Sequence, residues 1–172
     1  MSPITPTINE LEQLLIQPGD LPAGFTAGQV REQAPGMFSE LPRPQICIYQ
    51  QLVLGDTQAG GVTLLVYSDL VQAKKSFEGI VSGFALDDDQ SLYKQSCDAI
   101  DGIGESCTQF LGRAQSAELL GMPLKDMGDI TSIRDVIVSH VRMVGTADPK
   151  DLQSYLRRLD RRISQYIGAH NK

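Results

Sequence analysis

Two sets of side chains have the types and spacing for chemistry or recognition, and each also has a plainer structural use. Cys97 and Cys107 flank Asp101-Gly102-Ile103-Gly104. A three-residue loop at 101–103 would join two strands with Cys97 opposite Cys107, close enough for a disulfide in an oxidising compartment. A one-residue shift of the turn undoes the match, and with Cys47 the set is otherwise three buried thiols acting as small hydrophobes. None of the three belongs to a C-x-x-C pair, and only His140 and His170 could assist, so no zinc pattern is present. The second set is Arg157, Arg158, Arg161 and Arg162. Residues 148–172 hold six Lys/Arg against three Asp/Glu, a net charge of +3 that leaves −9 for the rest of the chain. Such a flank is a partner-binding candidate for an acidic protein, an anionic surface or a second copy, or else a solvated helix face with local ion pairs.

Other candidate motifs are incomplete. Gly102-Ile103-Gly104 lacks the third glycine, the Walker Lys-Ser/Thr and the long helix of a phosphate loop, and reads as a glycine-rich turn between strands. Neither G-x-S-x-G nor a Cys/His nucleophile signature occurs. His140 falls inside a strand, and His170 falls in a tail. Asp87-Asp88-Asp89 follows a helix in a solvated loop without the alternation or terminal Glu of an EF-hand. The sequence therefore assigns no catalytic residue, metal or cofactor, and an enzyme, such as a hydrolase, would need carboxylates gathered from distant strands by the fold.

Charge and hydropathy narrow the partners. The formal net charge of −6 and a pI near 4.8 make a field that repels a phosphate backbone, which argues against nucleic acid. No apolar run approaches the ~18 residues that span a bilayer. The start, Met1-Ser-Pro-Ile-Thr-Pro, has neither the basic nor the apolar region of a signal peptide. Residues 1–6 read as a linker, of the kind that joins a domain to an upstream lipid anchor, or as a frayed terminus.

The remaining 162 residues, 7–168, are expected to form a single α+β domain, with 169–172 as a tail. Thr7 and Glu10 have capping-box spacing ahead of Ile8, Leu11, Leu14 and Leu15, and Pro18-Gly19 ends that short helix. Strands are expected near 25–31, 46–54 and 61–67, the last two joined through the polar stretch 55–60. An exposed loop covers 32–44. Ser68 is the expected N-cap of an amphipathic helix that carries Leu70, Ala73, Phe77, Ile80 and Val81 and ends near Gly83. The second half follows the same outline, with strands near 91–98, 105–113 and 133–144, then a helix from 148. Residues 114–132 read as one helical turn and an irregular crossing. The closing helix is the clearest local signal. Asp148 caps it, Pro149 takes the first position, and Leu152, Tyr155, Leu156, Leu159, Ile163, Tyr166 and Ile167 form a stripe before Gly168. The expected architecture is a mainly antiparallel sheet packed by two amphipathic helices, in β-β-β-α order twice, plus the short N-terminal helix.

At Leu14-Leu-Ile-Gln-Pro-Gly-Asp-Leu-Pro-Ala-Gly-Phe25, Ile103-Gly-Glu-Ser-Cys107 and Val136-Ile-Val-Ser-His-Val-Arg-Met-Val144, the chain resembles bacterial exported lipoprotein-like and sensor-like domains. The resemblance implies an extracytoplasmic α+β domain of PsbP/Mog1-like kind, with binding or scaffolding roles and no shared active site. The absence of a signal peptide and a lipid-acceptor cysteine departs from that pattern. The resulting expectation is a noncatalytic extracytoplasmic binding or sensor-like module for a protein or small ligand. A cytoplasmic protein-interaction adaptor is the alternative.

Overall fold

The computed structural model describes residues 6–17, 19–33, 40–85, 92–114, 126–144 and 148–170. The elements in chain order are α1 (Ile8–Leu14), β1 (Phe25–Glu32), β2 (Ile46–Leu54), β3 (Thr57–Val66), α2 (Leu70–Ala85), β4 (Leu92–Ala99), β5 (Ser106–Ala114), β6 (Asp126–Arg134), β7 (Ile137–Val144) and α3 (Pro149–His170). The seven strands form one sheet in the order β1-β2-β3-β7-β6-β5-β4, with every neighbouring pair antiparallel. The sequence expectation of an α+β domain with an antiparallel sheet and two amphipathic helices holds.

Helix starts follow the local chemistry. Thr7 Oγ1 accepts from the Glu10 amide while the Glu10 carboxylate accepts from the Thr7 amide, so two of the free donors at the start of α1 are satisfied. Asp148 accepts from the Lys150 amide at 2.8 Å and opens α3. At α2 the cap is Asp69, not Ser68. Its carboxylate accepts from the Gln72 amide at 2.9 Å, while Ser68 donates to that same carboxylate. The Asp69 carboxylate reaches the amide of the third helical residue and complements the helix dipole, which a hydroxyl one position earlier does not.

Three strand expectations need correction. The β2–β3 turn is tighter than 55–60, since Thr57 already pairs with Leu54. The stretch 133–144 is not one strand but the end of β6, a turn at Asp135-Val136 and all of β7. Asp135 takes the left-handed conformation there, with φ of 52°, which Asp tolerates better than most residues. The second half is therefore β-β-β-β-α. Finally, Cys97 lies opposite Phe110, and the Ile100 amide donates to the Cys107 carbonyl. Since neighbours on a strand alternate faces, Cys97 shares a face with Phe110, and Cys107 points to the other side. The turn is longer than the three-residue loop, with Gly102 and Gly104 at φ of 74° and 63°, and all three cysteines are free thiols.

The two faces carry different cores. Helices α1 and α3 cover one, where Leu152, Tyr155, Leu156, Leu159 and Ile163 meet Ile48, Leu52, Val62, Leu64, Ile130 and Val141. Helix α2 covers part of the other, packing Ala73 and Ile80 on Cys47, Leu65, Ile133 and Val138. The α3 stripe ends as predicted, but the helix runs past Gly168 to His170, whose ring lies 4.2 Å from that of Tyr166 and whose Nδ1 sits 2.8 Å from the Tyr166 carbonyl. The segments expected as the 34–39 part of the first loop, the Asp87-Asp88-Asp89 run and the helical turn at 117–120 lie outside the described residues, as do residues 1–5 of the expected linker.

Candidate functional site

The register of the sheet builds three rows across the α2 side. The first, Cys47, Leu65, Val138 and Ile133, is apolar and lies under α2. Two pairs further along the strands, on the same face, come Tyr49, Thr63, His140, Thr131 and Thr108. The third row is Gln51, Gly61, Arg142, Asp129, Phe110 and Cys97. Two consecutive polar rows in the middle of a sheet are costly unless every group is paired.

They are paired. Asp129 has no exposed surface. Its Oδ1 accepts from Arg142 Nε at 2.7 Å and its Oδ2 from Arg142 Nη2 at 3.2 Å, a bidentate contact. His140 Nε2 lies 3.2 Å from the same Oδ1. Its other nitrogen, Nδ1, lies 2.9 Å from Thr131 Oγ1, so a proton on Nε2 serves the carboxylate and leaves Nδ1 to accept from the threonine. Burial alone would raise the Asp129 carboxyl. The hydrogen bond from His140, with the charge and hydrogen bonds of Arg142, outweighs burial and holds it below the usual carboxylate range. That direction keeps Asp129 ionised and unsuited to general-acid work. Thr131, His140 and Asp129 have the order of a hydroxyl–imidazole–carboxylate relay, but Thr131 is fully buried, out of reach of a substrate carbonyl.

Water reaches this network at Arg142, whose side chain is 45% exposed against 0% for Asp129. A wall stands beside it. The Tyr49 ring lies directly over Gly61, the cross-strand neighbour of Arg142, where any Cβ would run into the ring, and the Tyr49 hydroxyl donates to the Gly60 carbonyl at 2.9 Å.

The residues singled out in the sequence are placed elsewhere. Arg162 donates to the Leu14 and Leu15 carbonyls at 2.8 Å each and to Asp20 at 2.7 Å, closing the C-terminal end of α1 onto α3. Arg158 reaches the Gly19 carbonyl and Ser154, and Arg157 reaches the Asp101 and Gly102 carbonyls in the β4–β5 turn. Arg161 is exposed with no partner among the described residues. The flank is thus largely internal stitching. Cys107 is buried and its thiol is pushed up to about 12, first by burial and then by the charge of Asp160. Burial pushes Cys47 up to about 11, while Cys97 is half-buried. Among the described residues no group of three His, Cys, Asp or Glu could hold a metal ion, and no helix is long and apolar enough to cross a membrane.

A groove of about 330 Å³ lies at the β1 edge between Ile16, Leu21, Phe25 and Ala27. Among the described residues its lining has no ionisable side chain and only Gln17 and Thr26 as polar ones, few groups to orient a ligand. The polar rows have those groups. His140 was visible in the sequence as a strand residue, whereas Asp129 and Arg142 were not singled out. The missing signal was the turn at Asp135-Val136, which brings Asp129 opposite Arg142 and Thr131 opposite His140.

No family model and no curated protein matches the sequence. Among solved structures, the extracellular domain of PknH from Mycobacterium tuberculosis is similar over 94% of this chain and 98% of its own length, with a TM-score of 0.63 at 10% identity. The likeness is one of fold.

Proposed function

We propose that the chain is a noncatalytic binding or sensor-like module working outside the cytoplasm, with its recognition surface on the sheet beside α2. The observation that carries this reading is Asp129. A fully buried carboxylate in mid-sheet is often no more stable than apolar residues of similar volume, so its presence here supports a role in positioning. What it positions is Arg142, the exposed member of the network. The compartment is supported by the shared fold with an extracellular domain. An upstream lipid anchor and kinship with PsbP/Mog1-like sandwiches belong to the same proposal.

The free thiols favour a second reading, a cytoplasmic adaptor whose exposed Arg157, Arg158 and Arg161 meet an acidic partner. Two measurements separate them. Cys97 is the accessible thiol, while Cys47 and Cys107 are buried and have raised thiol pKa values, so a membrane-impermeant maleimide should label Cys97 in intact producing cells. Labelling only after lysis would remove the extracytoplasmic assignment. A library of neutral and charged fragments mapped by amide shifts should cluster at Tyr49, Gly61 and His140, and clustering along α3 would instead favour the adaptor.

A further inference from the structure

Arginine has two edges that can each hold a forked acceptor. Asp129 occupies the side edge, formed by Nε and Nη2. The end edge, formed by Nη1 and the second proton of Nη2, has no partner among the described residues, and the side chain bearing it is 45% exposed. Because Asp129 is fully buried and also held by His140, the guanidinium plane is fixed from behind. The open fork therefore has a set direction, and little conformational freedom is left to lose on binding.

Charge selects the mode of recognition. Asp129 and Arg142 cancel, and the rest of the molecule is acidic, so a simple halide gains little here. A group with two oxygens on one atom gains two parallel hydrogen bonds whatever the long-range field. Among the described residues, the titratable groups beside Arg142 are Asp129, His140 and Tyr49, whose ring forms a wall on the Gly61 side.

We infer that the end edge of Arg142 binds a forked oxyanion, the carboxylate or phosphate group of a small ligand, alongside the Tyr49 ring. This deepens the reading given above and rests on it. The test follows the Arg142 Nε–Hε signal and the Gly61 and His140 amides of the full chain during titration with sodium acetate, inorganic phosphate and sodium chloride at equal ionic strength. Acetate or phosphate should give a saturable shift that chloride does not, and whichever saturates at the lower concentration identifies the source of the oxyanion. Arg142→Lys keeps the charge beside Asp129 but has no fork, so it should weaken that binding about tenfold or more. Equal shifts with chloride, shifts scattered over the α3 arginines, or undiminished binding by R142K would overturn the inference. If R142K fails to fold, the contrast between oxyanion and chloride in the unaltered chain decides. Neutral fragments binding this face while neither oxyanion does would sink the inference and leave the broader reading standing. Fragment binding confined to α3 would remove both.

Discussion

Against α3 the sheet presents Ile48, Val62, Leu64, Ile130 and Val141. Beyond α2 it presents Thr63, Thr131, His140, Asp129 and Arg142. The same strands supply both lists, because alternate residues point to opposite faces. On the first face each large side chain removed from water contributes about 1.5 to 3 kcal/mol, and ionic contacts such as the 2.6 Å Arg134–Asp160 pair sit at its margin. On the second, charge sits in the middle and hydrocarbon under one helix. The larger apolar core lies on the α3 side, and the α2 side carries the polar groups to which recognition is assigned in the proposal.

Substitutions can break this contrast in graded fashion. Leu159→Asp places a carboxylate among fully buried hydrocarbon and should cost more than about 5 kcal/mol, read as loss of the folded signal in circular dichroism and a collapsed melting transition. An unchanged melting temperature would contradict the packing of α3. Arg142→Ala leaves Asp129 buried with His140 alone. Solvent already reaches Arg142, so the expected loss is about 2 to 4 kcal/mol by urea unfolding, below that for a wholly enclosed pair. Arg162→Ala removes three hydrogen bonds that fasten α1 and Asp20, and about 2 kcal/mol should go with them. Its neighbour Arg161→Ala should stay within about 0.5 kcal/mol.

The comparison was only half legible in the sequence. The α3 stripe, the Thr7–Glu10 box and the β2 bounds were readable because periodicity and capping are local. The polar rows depend on register between strands, and register there turns on Asp135, which adopts a left-handed conformation without the Asn-Gly or Asp-Gly pair that usually announces a hairpin. Reading 133–144 as a single strand hid the pairing of Asp129 with Arg142. A second misread turn, longer than the three residues expected, put Cys97 opposite Cys107 when it faces Phe110. The arginine flank was visible as composition, but composition could not show that Arg162 faces helix carbonyls instead of solvent.

A smaller effect sharpens the role of Asp129. Its folded pKa lies below the ordinary value of 3.8, so its pairing stabilises the fold above that value and the stabilisation is lost as pH falls through it toward the folded pKa. Urea midpoints measured downward from about pH 5 should fall less steeply in Asp129→Asn than in the unaltered chain. Identical slopes would mean that the pair contributes nothing in the folded state.

That the buried pair is kept for recognition, adding no more stability than an apolar pair would, can be checked with the double variant Asp129→Leu/Arg142→Met, assayed for melting temperature and for acetate and phosphate shifts on one sample. The expected result is a folded protein that melts near the unaltered chain, the lost acceptor of His140 offsetting the apolar gain, and that no longer shows a saturable shift at Gly61 and His140. Collapse of the fold, or oxyanion binding on this face at undiminished affinity, would contradict it.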